Sequence, residues 1–453
     1  MNAQGEHRLT TLDSGARVVS ERIPGVRSAA LGFWIAAGSA AEGEEQAGIT
    51  HLVEHMLFRG TERFGSEEID QIFDAMGAEV NAGTDKEATT LYTRVLDRHL
   101  ERAFDVMADM VFRPRFGELE AEREVVLEEI AMYEDDPQDR VFDLLGRAVF
   151  GPHPLGRAVI GRAEVVGAAT AEQLSAFHAA RYVPERIVIA AAGSVDHDEL
   201  VAMARSSPAA GAGTGGDASP ARHDAPAGAA PDFERRVRFL QKDTEQYHVC
   251  LGGAGLSRDD ERRFALRVLE GVLGATSSSR LFVEVRERRG LAYAVFCFSS
   301  LFARTGEVGV YLGTRPENVV SALEVVDSEL QRFVAEPATA AELERSRENL
   351  KGRVVLSLES TAARMTHLGG AMLHGLPVLS VQELIERIEA VQLADLQRLA
   401  AELYAPPSLS LAGVGRDERV FRDAIEPLAD GTGASASQQA GDSAALAGGR
   451  GSA

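Results

Sequence analysis

The stretch GITHLVEHMLF, residues Gly48–Phe58, carries two histidines and a glutamate within a segment that has the pattern of a helix. His51, Glu54 and His55 fall at positions i, i+3 and i+4, so a helix places all three on one face. Two imidazoles one turn apart can hold a single Zn2+, and a carboxylate between them can accept a proton from a water bound to the metal. The stretch therefore predicts part of a catalytic zinc site.

The same spacing also arises by chance on solvated helices, so the neighbouring residues decide between the two interpretations. Apolar residues surround the polar side chains of the motif: Leu52, Val53, Met56, Leu57 and Phe58. A polar cluster within an apolar helix is costly unless it is paired or bound to a metal. This context favours the metal site.

A two-histidine zinc site needs a further ligand from another element, and a second helix predicted over Leu119–Tyr133 offers carboxylates for it. Glu122 and Glu129 are two turns apart and so share a face of that helix. Solvent-exposed glutamates are the default interpretation of such an acidic run. On local grounds Glu128 competes with Glu129 for the ligand role, and the pattern leaves that choice open.

Length and composition restrict the class of protein. The 453 residues predict about two domains of roughly 200 residues each. No run approaches the ~20 apolar residues that cross a membrane. The polar start, Met1–Leu12, lacks the apolar core of a signal peptide, so we expect a cytoplasmic protein. The net charge of -22 argues against nucleic acid or an anionic membrane as a partner. Cys250 and Cys297 lie in apolar surroundings and are predicted to be buried thiols.

The chain contains a segment without core-forming residues and then repeats its earlier pattern. Residues 206–231 are almost wholly small or polar, which predicts a flexible linker, and the tail 431–453 has the same character and is predicted to be disordered. Segments on either side of the linker match at an offset on the order of 220 residues, as in an internal duplication. We therefore predict a catalytic domain at 1–205 and a duplicate at 232–430. The helix expected at Asp259–Leu273, where the motif would recur, contains no histidine, so only the first copy can hold this metal.

The second copy has other polar residues near a predicted junction between a helix and a strand. Arg286 and Tyr293 flank this junction and could donate hydrogen bonds to a carbonyl or a carboxylate. The residues alone favour a plainer interpretation, namely a surface arginine and a half-buried strand tyrosine.

With these residues in view, the chain resembles the pitrilysin (insulinase) family of zinc metallopeptidases, whose motif is an inverted H-x-x-E-H. The resemblance runs from about residue 8 to residue 427, apart from the linker, and HLVEHMLFRGT at His51–Thr61 is similar to the family signature almost residue for residue. The family has a third zinc ligand and a second essential glutamate within one Glu-Arg-x5-Glu pattern. This implies Glu129 as the ligand here and Glu122 as the residue that orients the site.

The resemblance also implies how a substrate binds. The family's substrate-pairing edge strand implicates Asn81 and Ala82 in peptide binding by strand addition, and Phe58 is expected to be a further substrate contact. The spacing of Arg286 and Tyr293 is similar to that of an Arg/Tyr pair with which the family's second half binds the substrate and the transition state.

The implied fold is α+β: two duplicated domains, each a mostly antiparallel sheet packed by helices, which form half of a clamshell. Family members of this length form two-chain assemblies, so we expect a homodimer that encloses unfolded peptides, with one Zn2+ per chain and no nucleic-acid or membrane partner. In the implied mechanism His51, His55 and Glu129 hold the zinc, Glu54 activates water, and Tyr293 helps to stabilise the oxyanion. The alternative is a non-catalytic scaffold or partner subunit of a peptidase complex, although relatives of that kind generally lack an intact motif.

Overall fold

The computed structural model of the chain describes residues 7–211, 230–336 and 338–430. Most of the predicted linker and all of the predicted tail at 431–453 lie outside the described residues. The chain forms two compact units, neither of which is a contiguous stretch. The first unit comprises the residues up to 134 together with 152–230 and 351–386, and the second comprises 135–151, 231–350 and the residues from 387 onward.

The helices and strands largely follow the predicted pattern. The strands are β1 (Arg8–Thr11), β2 (Arg17–Arg22), β3 (Ser28–Ile35), β4 (Val80–Thr84), β5 (Thr89–Leu96), β6 (Ile187–Gly193), β7 (Val237–Gln241), β8 (Tyr247–Gly255), β9 (Ala292–Leu301), β10 (Gly306–Thr314) and β11 (Ser410–Gly415). The α-helices are α1 (Ile49–Met56), α2 (Ser66–Met76), α3 (Leu100–Phe112), α4 (Leu119–Asp135), α5 (Pro137–Phe150), α6 (Ala163–Ala168), α7 (Ala171–Arg181), α8 (His197–Ser206), α9 (Arg263–Leu273), α10 (Val319–Ala335), α11 (Ala340–Ser357), α12 (Thr361–Leu373), α13 (Val381–Ala390), α14 (Leu393–Leu403) and α15 (Glu418–Asp430).

The first unit is built on a six-stranded sheet of order β1-β2-β6-β3-β5-β4, in which every pair is antiparallel except β2 and β6. Successive side chains of a strand point to opposite faces, and on β3 this sends Leu31 and Phe33 into a core shared with α1 and α3. Trp34 points to the other face, where α12 covers the sheet with the buried side chains of Met365 and Leu368. Both faces of β3 are thus covered, which explains its nearly continuous apolar sequence.

The second unit is built on a five-stranded sheet of order β7-β11-β8-β10-β9 with one parallel pair, β7 and β11. This order repeats that of β2-β6-β3-β5-β4 in the first sheet, and the parallel pair occupies the same place. Helix α5 packs on this sheet, where the ring of Phe142 lies 5.0 Å from Phe298 and 5.6 Å from Tyr311 between centroids. The predicted α+β class with duplicated, mostly antiparallel sheets is confirmed.

Two helices depart from the simple division into a first and a second half. Helix α5 precedes the linker in the sequence but packs on the second sheet, and α12 follows the linker but packs on the first. The predicted boundaries at 205 and 232 do not include this exchange. An amphipathic pattern shows that a helix buries one face, but it does not show which sheet covers that face.

Two further expectations concern the environment of the protein. Cys250 and Cys297 are buried and unpaired, as predicted. Within the described residues, no helix combines the length and the apolar character needed to cross a bilayer.

Candidate metal centre

Helix α1 is anchored in the core of the first unit. Leu52, Val53 and Met56 have no exposed surface, so their burial fixes the rotation of the helix about its axis. The opposite side of the same helix carries His51 and His55, which are partly exposed. The apolar neighbours of the motif therefore hold the histidines in place.

The N-terminus of α1 is fixed by a glycine and by a buried carboxylate. Gly48 has φ of 106°, and a Cβ there would lie 2.8 Å from the side chain of Val166, so the position favours glycine. The two oxygens of Glu42 accept hydrogen bonds from the backbone N–H groups of Gly48 at 3.0 Å and Thr50 at 2.7 Å. Burial raises the pKa of Glu42 to about 7, although these two donors oppose the rise. Its negative charge also suits the positive end of the helix dipole.

His51 and His55 on α1 and Glu129 on α4 bring one potential ligand atom each to a common point. The two histidine Nε2 atoms are 3.2 Å apart, and Oε2 of Glu129 lies 3.8 Å from Nε2 of His51 and 3.4 Å from Nε2 of His55. Ligands at about 2.0–2.1 Å from a tetrahedral zinc stand roughly 3.4 Å from one another. The three atoms therefore fit a zinc ion with one coordination position left open. Glu128, the competing candidate, is not part of this group.

The electrostatic surroundings of His51 suit a metal ligand. Burial and, to a smaller extent, the neighbouring His55 lower the pKa of His51 to about 4. The imidazole is therefore neutral at pH 7, which is the state that binds a metal. Its Nδ1 atom is buried and makes no hydrogen bond to the described residues.

Glu122 orients the second histidine. Its Oε1 accepts a hydrogen bond from Nδ1 of His55 at 2.7 Å, and its Oε2 accepts one from Nε of Arg59. The carboxylate is only 3% exposed, so these charge-assisted bonds are made in a region of low dielectric constant. With Nδ1 protonated, Nε2 of His55 presents its lone pair to the ligand group. Glu122, to which the resemblance assigns the orientation of the site, thus contacts one of the two candidate histidines.

Glu54 lies beside the ligand group but has different partners. It is 9% exposed, and burial raises its pKa, while an electrostatic interaction with His55 and a hydrogen bond from Thr84 oppose the rise. The hydroxyl of Thr84 donates to Oε2 of Glu54 at 3.0 Å. A carboxylate whose pKa is raised is suited to accept and return a proton.

The predicted substrate strand lies at an edge of the first sheet. Strand β4 pairs with β5, with Asn81 opposite Tyr92 and Ala82 opposite Leu91, and no described strand adjoins its other side. Asn81 is exposed, and Ala82 packs against the core. A free edge of this kind can accept an added peptide strand. Phe58 is partly buried and packs against the same core.

Arg286 and Tyr293 are brought together within the second unit. Arg286 lies on a π-helical turn, its Nη1 donates to the backbone oxygen of Tyr293 at 3.0 Å, and its guanidinium lies 4.4 Å from the centre of the tyrosine ring. Tyr293 is 76% exposed, so it is not the half-buried tyrosine that the residues alone favoured. An exposed phenol beside a guanidinium can donate hydrogen bonds to a carbonyl or carboxylate group of a ligand.

Sequence reasoning missed the contacts of Glu42 and Thr84. Glu42 precedes the motif in an acidic loop, and Thr84 ends a strand that was singled out for other residues. Thr84 contacts a residue 30 positions away, and hydrophobic periodicity carries no information about such a contact. The one indication in the sequence was that Thr84 lies on the same strand as Asn81, which the resemblance links to substrate binding.

Comparison with known proteins gives matches over most of the chain. A family model described as insulinase (peptidase family M16) matches residues 17–163, and one described as peptidase M16 inactive domain matches residues 168–350. A protein of Streptomyces coelicolor named as an uncharacterized zinc protease is 41% identical over 92% of this chain and 93% of its own length. A Bacillus subtilis protein with the same description is 39% identical over 87% of this chain and 95% of its own length.

Solved structures share the fold at lower identity. A protease from Helicobacter pylori has a TM-score of 0.83 at 20% identity and covers 91% of this chain and 99% of its own. A structure described as peptidase M16 inactive domain from Pseudomonas fluorescens has a TM-score of 0.81 at 23% identity and covers 91% and 98%. The solved structures agree in fold, and the matches in sequence show that the chain belongs to the insulinase family of zinc proteases, peptidase family M16.

Proposed function

We propose that the protein is a zinc-dependent endopeptidase that hydrolyses unfolded peptides and binds one Zn2+ per chain. The observation that carries the proposal is the convergence of His51, His55 and Glu129 on one point beside the buried carboxylate of Glu54. Relatives about 40% identical over most of the chain are named zinc proteases, which supports the same chemistry.

In the proposed reaction the residues of the site have separate roles. His51, His55 and Glu129 would hold the zinc, which when bound would supply Lewis-acid activation of water and of the scissile carbonyl. Glu54 accepts a proton from the attacking water and passes it to the leaving amine. Because Thr84 occupies Oε2 of Glu54, the proton is accepted at Oε1, to which none of the described residues donates a hydrogen bond.

The remaining predicted residues are assigned to substrate binding. We assign residues 1–205 to a catalytic domain and 232–430 to an inactive duplicate that contributes to the substrate site. In this assignment the backbone at Asn81 and Ala82 pairs with an extended peptide, and Phe58 contacts its side chains. The exposed pair of Arg286 and Tyr293 donates hydrogen bonds to the substrate and to the developing oxyanion.

The proposed assembly is a homodimer with a closed chamber that admits peptides and excludes folded proteins. Its proposed location is the cytoplasm, where the buried thiols Cys250 and Cys297 remain reduced. Light scattering on the purified chain tests the dimer, and the relative cleavage rates of an unfolded peptide and a folded protein test the chamber.

Replacement of Glu54 separates catalysis from metal binding. We expect Glu54→Gln to retain zinc and to lose hydrolysis by on the order of 10²- to 10⁴-fold, since the general base is removed and the ligands stay. His51→Ala should lose the zinc. Glu128→Gln is a matched control, because Glu128 is an exposed glutamate next to the proposed ligand Glu129 but outside the ligand group.

The measurements are metal analysis of the purified variants and cleavage of a fluorogenic peptide library by the chain alone. Turnover by Glu54→Gln at the wild-type rate would refute the assignment. A wild-type protein that holds zinc and cleaves no peptide would instead favour the alternative, a non-catalytic scaffold or partner subunit of a peptidase complex.

A further inference from the structure

We infer that Thr84 is a positioning residue for the general base, whose hydroxyl holds Glu54 with one carboxylate oxygen directed at the attacking water. The inference rests on the proposed function. It adds a role for the strand β4 that the binding of an extended peptide does not require.

The contact itself is well defined. The hydroxyl of Thr84 donates to Oε2 of Glu54 at 3.0 Å, and it is the one side-chain hydrogen bond that Glu54 makes to the described residues. A glutamate has three side-chain torsions, and only one of its oxygens needs to face the water. A single bond from a fixed donor to Oε2 selects the orientation that leaves Oε1 available.

Thr84 is a suitable donor because its own position is fixed. It is the last residue of β4 and pairs with Thr89 on β5. The turn that follows is closed by the side chain of Asp85, which accepts a hydrogen bond from the backbone N–H of Ala88 at 2.6 Å. The backbone oxygen of Asp85 also accepts a hydrogen bond from Ser39 at 3.0 Å, so the loop before the motif helix braces the turn. A β-branched side chain adds stiffness at χ1.

The contact links substrate binding to proton transfer through one element. Side chains alternate along β4, so Ala82 and Thr84 face the core and α1, whereas Asn81 faces solvent. The outer edge of the strand is available to a peptide, and its inner face supplies the donor to Glu54. A peptide added at this edge therefore lies on the strand that sets the orientation of the base.

Replacement of the hydroxyl by a methyl group tests the role. We expect the zinc-loaded full chain carrying Thr84→Val to lose kcat by on the order of 10- to 100-fold, with KM changed by less than about threefold, since only the orientation of the base is lost. Thr84→Ser keeps the hydroxyl and should restore most of kcat. Zinc content should be that of the wild type in both variants.

Thr93→Val is the matched control. Thr93 is a buried threonine on β5 whose hydroxyl donates to the backbone oxygen of Glu79 at 2.7 Å, with no contact to Glu54. The Thr93→Val variant should have a lower melting temperature than the wild type and an unchanged kcat. The inference is overturned by wild-type kcat in Thr84→Val, or by Thr84→Ser losing as much kcat as Thr84→Val. An inactive zinc-loaded wild type would remove the proposed function and this inference with it, whereas an active wild type beside an unaffected Thr84→Val would remove the inference alone.

Discussion

Glu54 and Glu122 are two buried glutamates beside the same histidine pair, and their partners give them different tasks. Glu122 is held by the guanidinium of Arg59 and by Nδ1 of His55, so both of its oxygens are engaged by charge-assisted donors. Glu54 has a neutral hydroxyl as its donor, and burial raises its pKa. Glu122 is therefore held in one orientation by donors to both of its oxygens, whereas Glu54 keeps one oxygen available to accept a proton.

In the second unit, the ion pair between Arg280 and Glu342 is expected to make the stability of the protein depend on pH. Arg280 donates two hydrogen bonds to Glu342 at 2.8 and 2.9 Å, and this pairing, together with two hydrogen bonds from Thr339, lowers the pKa of Glu342 from 4.5 to about 2. A lowered pKa in the folded state stabilises the protein above pH 4.5, and the stabilisation is lost as the pH falls toward about 2.

Glu342→Gln should therefore lower the free energy of unfolding by about 1–2 kcal/mol at pH 7, a value reduced for solvent screening of a partly exposed pair. The difference from the wild type should shrink at pH 4 and vanish near pH 2. Urea unfolding of both proteins at several pH values measures it. A difference that stays constant with pH would contradict this account.

Individual elements differ in how much of them the sequence could predict. The spacing of apolar and polar residues indicated α1 and α4, and it predicted which face of each helix carries the candidate ligands. It could not decide between Glu128 and Glu129, because both lie near the same face and only the packing of α4 against its neighbours separates them. The return of α12 to the first sheet was not predicted either, since it depends on a complementary surface some 330 residues away.

The fit of α12 on β3 depends on a glycine. A Cβ at Gly369 would lie 2.1 Å from Nε1 of Trp34, so the helix can approach the strand only without a side chain there. Gly369→Ala should lower the free energy of unfolding by about 1–3 kcal/mol through overpacking, despite the better helix propensity of alanine. Gly370→Ala is the matched control, because its nearest neighbour is Cζ3 of Trp34 at an ordinary 3.9 Å, and it should be neutral or stabilising.

Trp34 is the only tryptophan of the chain, so its fluorescence reports on this contact directly. Urea unfolding followed at its emission measures both variants. Equal stability of Gly369→Ala and Gly370→Ala would show that α12 does not pack on β3 as described.

At the scale of the whole molecule, the duplication preserved the sheets and changed the chemistry. The five strands of the second sheet have the same order as β2-β6-β3-β5-β4 of the first, with the parallel pair in the same place. The helix α9 follows β8 as α1 follows β3, yet it contains no histidine. The second copy instead carries the neighbouring residues Arg286 and Tyr293.

The exchange of α5 and α12 predicts that the two halves of the chain stay together when the linker is cut. After cleavage at a protease site inserted at Gly216, the N-terminal fragment would still supply α5 to the second sheet. The C-terminal fragment would still supply α12 to the first sheet, with Met365, Leu368 and Leu373 buried against it. Each such side chain contributes about 1.5–3 kcal/mol by burial, so the fragments should remain associated.

Gel filtration of the cleaved protein should therefore give one peak that contains both fragments. The N-terminal fragment expressed alone should be poorly soluble, because the face of the sheet that α12 covers would be exposed and apolar. A matched control is the same protease site placed in the tail after Ala440, where cleavage removes no part of either sheet or its helices. Two separate, folded fragments after cleavage at Gly216 would contradict the exchange.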